Sequence, residues 1–380
     1  IARSGIFVPS MFSFDDVMII FLAVMISDIL LLDVFNSLGL PTSITVSIIF
    51  ELLGAAVCLA LYKIYTSDET LDHLGMYINT KKASTIVYSI LLSVILSFSL
   101  GSLFQYISRL IFTFHYEKKL KYFGAIFGGV AISAITFFIL IKGLKDVSFI
   151  SKEQSKWITT HQLLILGVNF AFFLALSQIL ISYFKVNILK VIILIGTFAL
   201  ALAFAGNDLV NFIGVPIAAF NSYEILQTSG LSGDKLMMGA LANDDIVAPF
   251  YFLLLAGIVM VVTLWTSKKA RSVIETELSL SRQSEGVEKF TPNTASRFIV
   301  RFGVYIGQAI HVFLPTTFQI KIDSRFINVE KSTKKSNDEP AFDMVRASVN
   351  LMVASILIAI GTSLKLPLST TYVTFMVAMG

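Results

Sequence analysis

Ser37-Leu38-Gly39-Leu40-Pro41-Thr42-Ser43-Ile44-Thr45 returns without a gap as Ser363-Leu364-Lys365-Leu366-Pro367-Leu368-Ser369-Thr370-Thr371. Each copy interrupts an otherwise apolar stretch. Between them lies a third interruption, Ala205-Gly206-Asn207-Asp208-Leu209-Val210-Asn211, at the end of a long apolar run. Proline, glycine and small polar residues at membrane depth leave backbone groups without helical partners. Such breaks are tolerated only where protein buries them or where they line a polar cavity. A break used twice, at matching points of two halves, is the sequence signature of a secondary transporter's binding site.

The surrounding composition puts these motifs in a membrane. Hydrophobic residues make up 56% of the chain and charged residues 14%, against about 25% charged in a soluble domain. Mean hydropathy is +0.80. The reading is an all-α polytopic membrane protein with broken helices, re-entrant hairpins and an inverted repeat. The net charge of +4 is spread over loops and gives no reason to expect nucleic acid. The single cysteine, Cys58, excludes an internal disulfide and a cysteine metal site, and reads as a small buried hydrophobe. The chain opens on Ile1 and stops at Gly380 inside an apolar run, so we expect an internal piece of a longer protein.

About 20 mostly apolar residues cross a bilayer. Segments of that kind run over 17–36, 43–65, 86–114, 122–141, 161–184, 188–205, 246–266 and 344–362, with 209–221 as the second half of a broken helix. Five regions follow. Residues 1–66 end a first repeat and carry the first hairpin motif, and 67–187 hold further spans and loops. Residues 188–266 start a second repeat with the Gly-Asn-Asp break. Residues 267–343 are a hydrophilic loop, and 344–380 are a span with the start of the second hairpin. Within the loop, Phe298 to Phe318 carries Arg297, Arg301 and Gln308 at or beside an apolar stretch, the pattern of an interfacial amphipathic helix. Span counting puts Lys118, Lys119, Lys121, Lys185, Lys190 and the 267–343 loop on one side, cytoplasmic by the positive-inside rule. Lys142, Lys145, Lys152 and Lys156 on the other side dissent.

Three groups of polar residues carry the chemistry. Ser43, Thr45, Ser369, Thr370 and Thr371 each follow a proline at the start of a half-helix. Free N–H groups, the positive dipole end and hydroxyl donors there make an anion site without burying an arginine. Gly206, Asn207, Asp208 and Asn211 offer hard oxygen ligands at a helix break, suited to sodium, at Asn207 and Asp208, or to a proton on Asp208. Asp28 and Asp33 stand in the first span, five residues apart and on different faces. One of them suits a cation and the other a basic partner, with Glu51 in the second span a weaker candidate. His73, His115, His161 and His311 are scattered at span ends and loops, and no nucleotide or triad motif is present. Nothing calls for an organic cofactor or an enzyme.

At these residues the chain resembles the inorganic phosphate transporter (PiT) family. Gly206, Asn207, Asp208 and Asn211 fall on that family's Gly-Ala-Asn-Asp-Val-Ala-Asn pattern, with no alanine after Gly206. Pro367, Ser369, Thr370 and Thr371 fall on its second hairpin motif, and Pro41, Ser43 and Thr45 on its first, where Ile44 replaces a threonine. Tyr372 stands where many members have histidine. The first Gly-Asn-Asp copy is absent, and the resemblance places it before Ile1. It implies a multi-pass protein of the inner (plasma) membrane that moves inorganic phosphate with a sodium ion or a proton by alternating access. A homodimer is compatible with it. Sulfate or another tetrahedral oxyanion fits the same physical chemistry, and a receptor signalling through 267–343 is the reading from another class.

Overall fold

The computed structural model describes residues 5–68, 70–114, 116–143, 153, 157–158, 160–242, 249–279, 294–312, 315–326, 343–363 and 368–380. Helices account for nearly all of it: α1 Phe14–Ser37, α2 Ile44–Thr66, α3 Leu74–Tyr77, α4 Thr80–Phe112, α5 Tyr116–Gly143 and α6 Gln162–Ser182. They continue with α7 Ile188–Phe204, α8 Val210–Ser229, α9 Phe250–Thr266, α10 Lys268–Ser279, α11 Thr294–Val312, α12 Thr316–Phe326, α13 Met344–Ser363 and α14 Thr370–Met379. Among the described residues, seven helices are long and apolar enough to cross a membrane. Their outer faces carry large exposed apolar side chains, such as Leu22, Ile26 and Leu30 of α1, as a lipid-facing surface requires. Cys58, expected inside, is exposed on that outer side.

α1 starts at a capping box. The Ser13 side chain accepts from the Asp16 N–H, and the Asp16 carboxylate accepts from the Ser13 N–H. Lys63 of α2 reaches the same carboxylate at 2.6 Å, which ties α1 to its neighbour. α1 ends where Gly39 turns to φ +62°. The Gly39 N–H donates to the Asn36 carbonyl and the Leu40 N–H to that of Phe35, a Schellman ending that only glycine enters cheaply.

The expected break at Gly206 takes another form. α7 and α8 make one run, Ile188–Ser229, through a π-helical turn at Ala205–Leu209. The wider turn leaves the local i→i−4 pattern. The Asn207 amide donates to the Ala203 carbonyl at 2.8 Å, so a side chain supplies a donor to the turn that precedes it. At 1.5 Å per residue the run is about 63 Å long, roughly twice the hydrocarbon thickness of a bilayer. Pro216 adds a second irregularity within it.

The two halves of this run pack into two different cores. One core gathers Phe7, Phe12, Phe21, Leu52 and Ala56 around Val215 and Ala218 of α8. The other gathers Ala131, Ile135, Val349, Val353 and Val377 around Ile188, Leu189 and Ile192 of α7. The π turn lies where the chain passes from one core to the other. In the second core α14 lies close against α4 through buried Ser93 and Ser97 and through Gly101, where a Cβ would stand 2.6 Å from the Val377 carbonyl. Small residues of this kind let helices approach in lipid, where there is no hydrophobic drive between them.

The 267–343 stretch contributes α10, α11 and α12, and much of it lies outside the described residues. α11 exposes Phe298, Phe302 and Tyr305; of the expected 298–318 segment, 313–314 lie outside the described residues. The apolar segment expected over 246–266 appears as α9, with 246–248 outside the described residues.

Candidate functional site

The two hairpin tips meet. Ser43 caps α2 by accepting from the Val46 N–H at 3.2 Å, and Ser369 caps α14 by accepting from the Tyr372 N–H at 3.0 Å. The Ser369 hydroxyl then donates to the Ser43 hydroxyl at 2.6 Å. These two serines occupy the same place in the two copies of the motif, 326 residues apart. Two helix N-termini, with their positive dipole ends, therefore converge on one point. Of the two hydroxyl protons, the one on Ser43 has no acceptor among the described residues.

Asp208 closes the arrangement from the π turn. Its Oδ1 accepts from Thr45 at 3.3 Å and its Oδ2 from Thr370 at 2.6 Å. One carboxylate thus takes a hydroxyl from each hairpin. Asn211, one turn further on, donates its amide to Thr45 Oγ1 at 2.9 Å. That contact occupies an acceptor site on Thr45 and directs the threonine's own proton to Asp208. Ser43, Thr45, Ser369 and Thr370 are buried, whereas Asp208 and Asn211 are half-buried and Gly206 is exposed. The site therefore has a sealed side at the hairpin tips and an open side at the π turn.

The donors suit a hard cation. A carboxylate and two threonine hydroxyl oxygens form an all-oxygen set, while the amide nitrogen of Asn207 is engaged with the Ala203 carbonyl. Thr371 is half-buried beside them. Pro41 lies in the described turn before α2, while Pro367 falls outside the described residues.

Asp28 and Asp33 part company. Asp33 is exposed and forms an ion pair with Lys269 of α10. Asp28 is buried on α1 and accepts from the Ser47 hydroxyl of α2 at 2.9 Å. Neither touches the Asp208 cluster directly. Ser47 itself was not singled out from the sequence. Its signal is spacing: it stands one turn after the cap Ser43 and one turn before Glu51, on one face of α2.

A model of the phosphate transporter family matches residues 1–277, which takes in the first hairpin and the π turn and stops short of the second hairpin. No curated protein matches the chain. Among solved structures, one described as "The sodium-dependent phosphate transporter" superposes with a TM-score of 0.59 at 17% identity, covering 99% of this chain and 72% of that one. At that identity the likeness concerns the fold.

Proposed function

The chain belongs to the phosphate transporter family, and from that premise we propose that it carries inorganic phosphate across the cell's inner (plasma) membrane by alternating access, coupled to a sodium ion. The sodium dependence of the structural neighbour supports that choice of ion over a proton. The observation that carries the reading is the sharing of one carboxylate, Asp208, between hydroxyls of both hairpins.

Thr45 and Thr370 direct their protons at Asp208. A phosphate at the hairpin tips competes for those protons and for the unused one on Ser43. Two helix N-termini add their positive ends. Turning the threonine hydroxyls to phosphate strips Asp208 of its donors and leaves two anions close together at low dielectric, where they repel strongly. A cation at Asp208, with Asn207 beside it, removes that penalty. Each ligand then favours the binding of the other, which is the thermodynamic content of coupling.

The contact between equivalent serines supports a pseudo-twofold relation between the repeats. Residues that touch their own counterparts lie on such an axis. Asp208 beside that axis is placed to respond when one repeat rocks against the other.

The test is labelled phosphate uptake into proteoliposomes by the intact parent protein, under a sodium gradient and then a proton gradient, with sulfate as competitor. Sodium-driven uptake that resists sulfate, and that Asp208→Asn abolishes while the protein remains folded, is the expected result. No uptake, or uptake that sulfate competes away, removes phosphate as the substrate. Sodium dependence unchanged in Asp208→Asn removes that carboxylate from the mechanism.

A further inference from the structure

Asp28, Ser47 and Glu51 form a second polar cluster between α1 and α2, and we propose that it holds one proton, making a titrating site separate from Asp208. The Ser47 hydroxyl lies 2.9 Å from Asp28 Oδ1 and 2.7 Å from Glu51 Oε1. Both are hydrogen-bond distances. A hydroxyl has one proton, so it donates to one carboxylate only. The other contact closes only if a carboxyl O–H donates to Ser47 Oγ. Asp28 is 1% exposed, and its Oδ2, together with Glu51 Oε2, has no partner among the described residues. The cluster therefore accommodates one negative charge and one proton.

Among the described residues, none of the ion pairs joins a base to this cluster. On α1 and α2 the nearest lysine is Lys63, which pairs with Asp16; each of these lies 12 residues from the cluster on its own helix, about 18 Å along the axis. Lys269 of α10 pairs with the exposed Asp33. From α8 come Asn211 and the exposed Glu224, and from the turn before α3 come Asp72 and His73. Asp208, in the π turn, is engaged with its threonines.

The repeat supplies an internal control. At the 326-residue spacing that relates Ser43 to Ser369, Asp28, Ser47 and Glu51 correspond to Ala354, Val373 and Val377. All three are buried in the apolar second core, at 0%, 1% and 1% exposure. The fold thus packs this position without a polar atom, and polar atoms there are a cost unless they are used. Ser47 stands one turn beyond the hairpin cap Ser43, so movement of α2 against α1 alters the two contacts that hold the proton. Its part in transport rests on the reading above; the proton itself does not.

Infrared spectroscopy of the full protein in lipid tests the site directly. We expect the carbonyl stretch of a protonated carboxylic acid near neutral pH, lost in the Asp28→Asn/Glu51→Gln double variant and retained in Asp208→Asn. A band unchanged in the double variant, or no band in the unaltered protein, overturns the proposal. In uptake assays the double variant, whose amides keep the shape of the site, is expected to lose the pH dependence of transport while keeping its sodium dependence. A pH profile identical to that of the unaltered protein refutes the coupling. If the infrared band behaves as expected but the unaltered protein moves no phosphate, the proton site stands and the transport reading fails.

Discussion

The first hairpin, α1 with α2, and the second, α13 with α14, are two solutions to one problem. Their second helices begin at matching residues, α2 at Ile44 and α14 at Thr370. Both use a serine cap, and the two caps touch. Their flanks then differ. Behind the first tip stand Asp28, Ser47 and Glu51; behind the second stand Ala354, Val373 and Val377. The second pair anchors itself elsewhere, through a buried ion pair between Arg109 of α4 and Asp343 before α13, and through Arg346 donating to the Ala378 carbonyl at 3.0 Å. What the halves share is the capped tip, and what they do not share is the chemistry behind it. Ion pairing and close packing hold the second hairpin. The first keeps buried carboxyls that packing does not require.

Removing hydroxyls from each tip in turn puts the equivalence to its strongest test. Ser369→Ala/Thr370→Val and Ser43→Ala/Thr45→Val are each expected to raise the apparent phosphate constant. A hydrogen bond to a charged partner contributes about 1.5–3 kcal/mol, so the rise is on the order of tenfold to a hundredfold. Uptake kinetics at matched expression would show it. A rise in one variant and none in the other would mean that a single hairpin binds the anion. A smaller effect separates the halves by packing. Gly101→Leu places side-chain atoms against the α14 backbone, and overpacking of this kind costs about 1–3 kcal/mol. We expect a lowered thermal midpoint in detergent. An unchanged midpoint would mean that α14 does not depend on its close approach to α4.

The tip residues were legible in the sequence because their chemistry is local. Proline followed by serine at a helix start, repeated without a gap, reads as a cap in one dimension. Asp208 and Asn211 were legible as polar residues inside an apolar run. Three things were not. The Gly-Asn-Asp interruption reads as an unwound break, but the Asn207 amide donates to the Ala203 carbonyl and the chain continues as a π turn; a sequence does not show which backbone group a side chain will satisfy. The Asp28–Ser47–Glu51 cluster was invisible as a unit because it needs α1 and α2 to pack in a particular register. The pairing of Asp33 with Lys269 likewise joins residues 236 apart.

Cross-linking across the tips tests the meeting of the two hairpins most directly. With Cys58→Ser as background, Ser43→Cys/Ser369→Cys places two thiols where hydroxyls lie 2.6 Å apart. The account predicts rapid disulfide formation in membranes once copper–phenanthroline is added as the oxidant. Absence of the cross-link would contradict a meeting of the two hairpins at these serines.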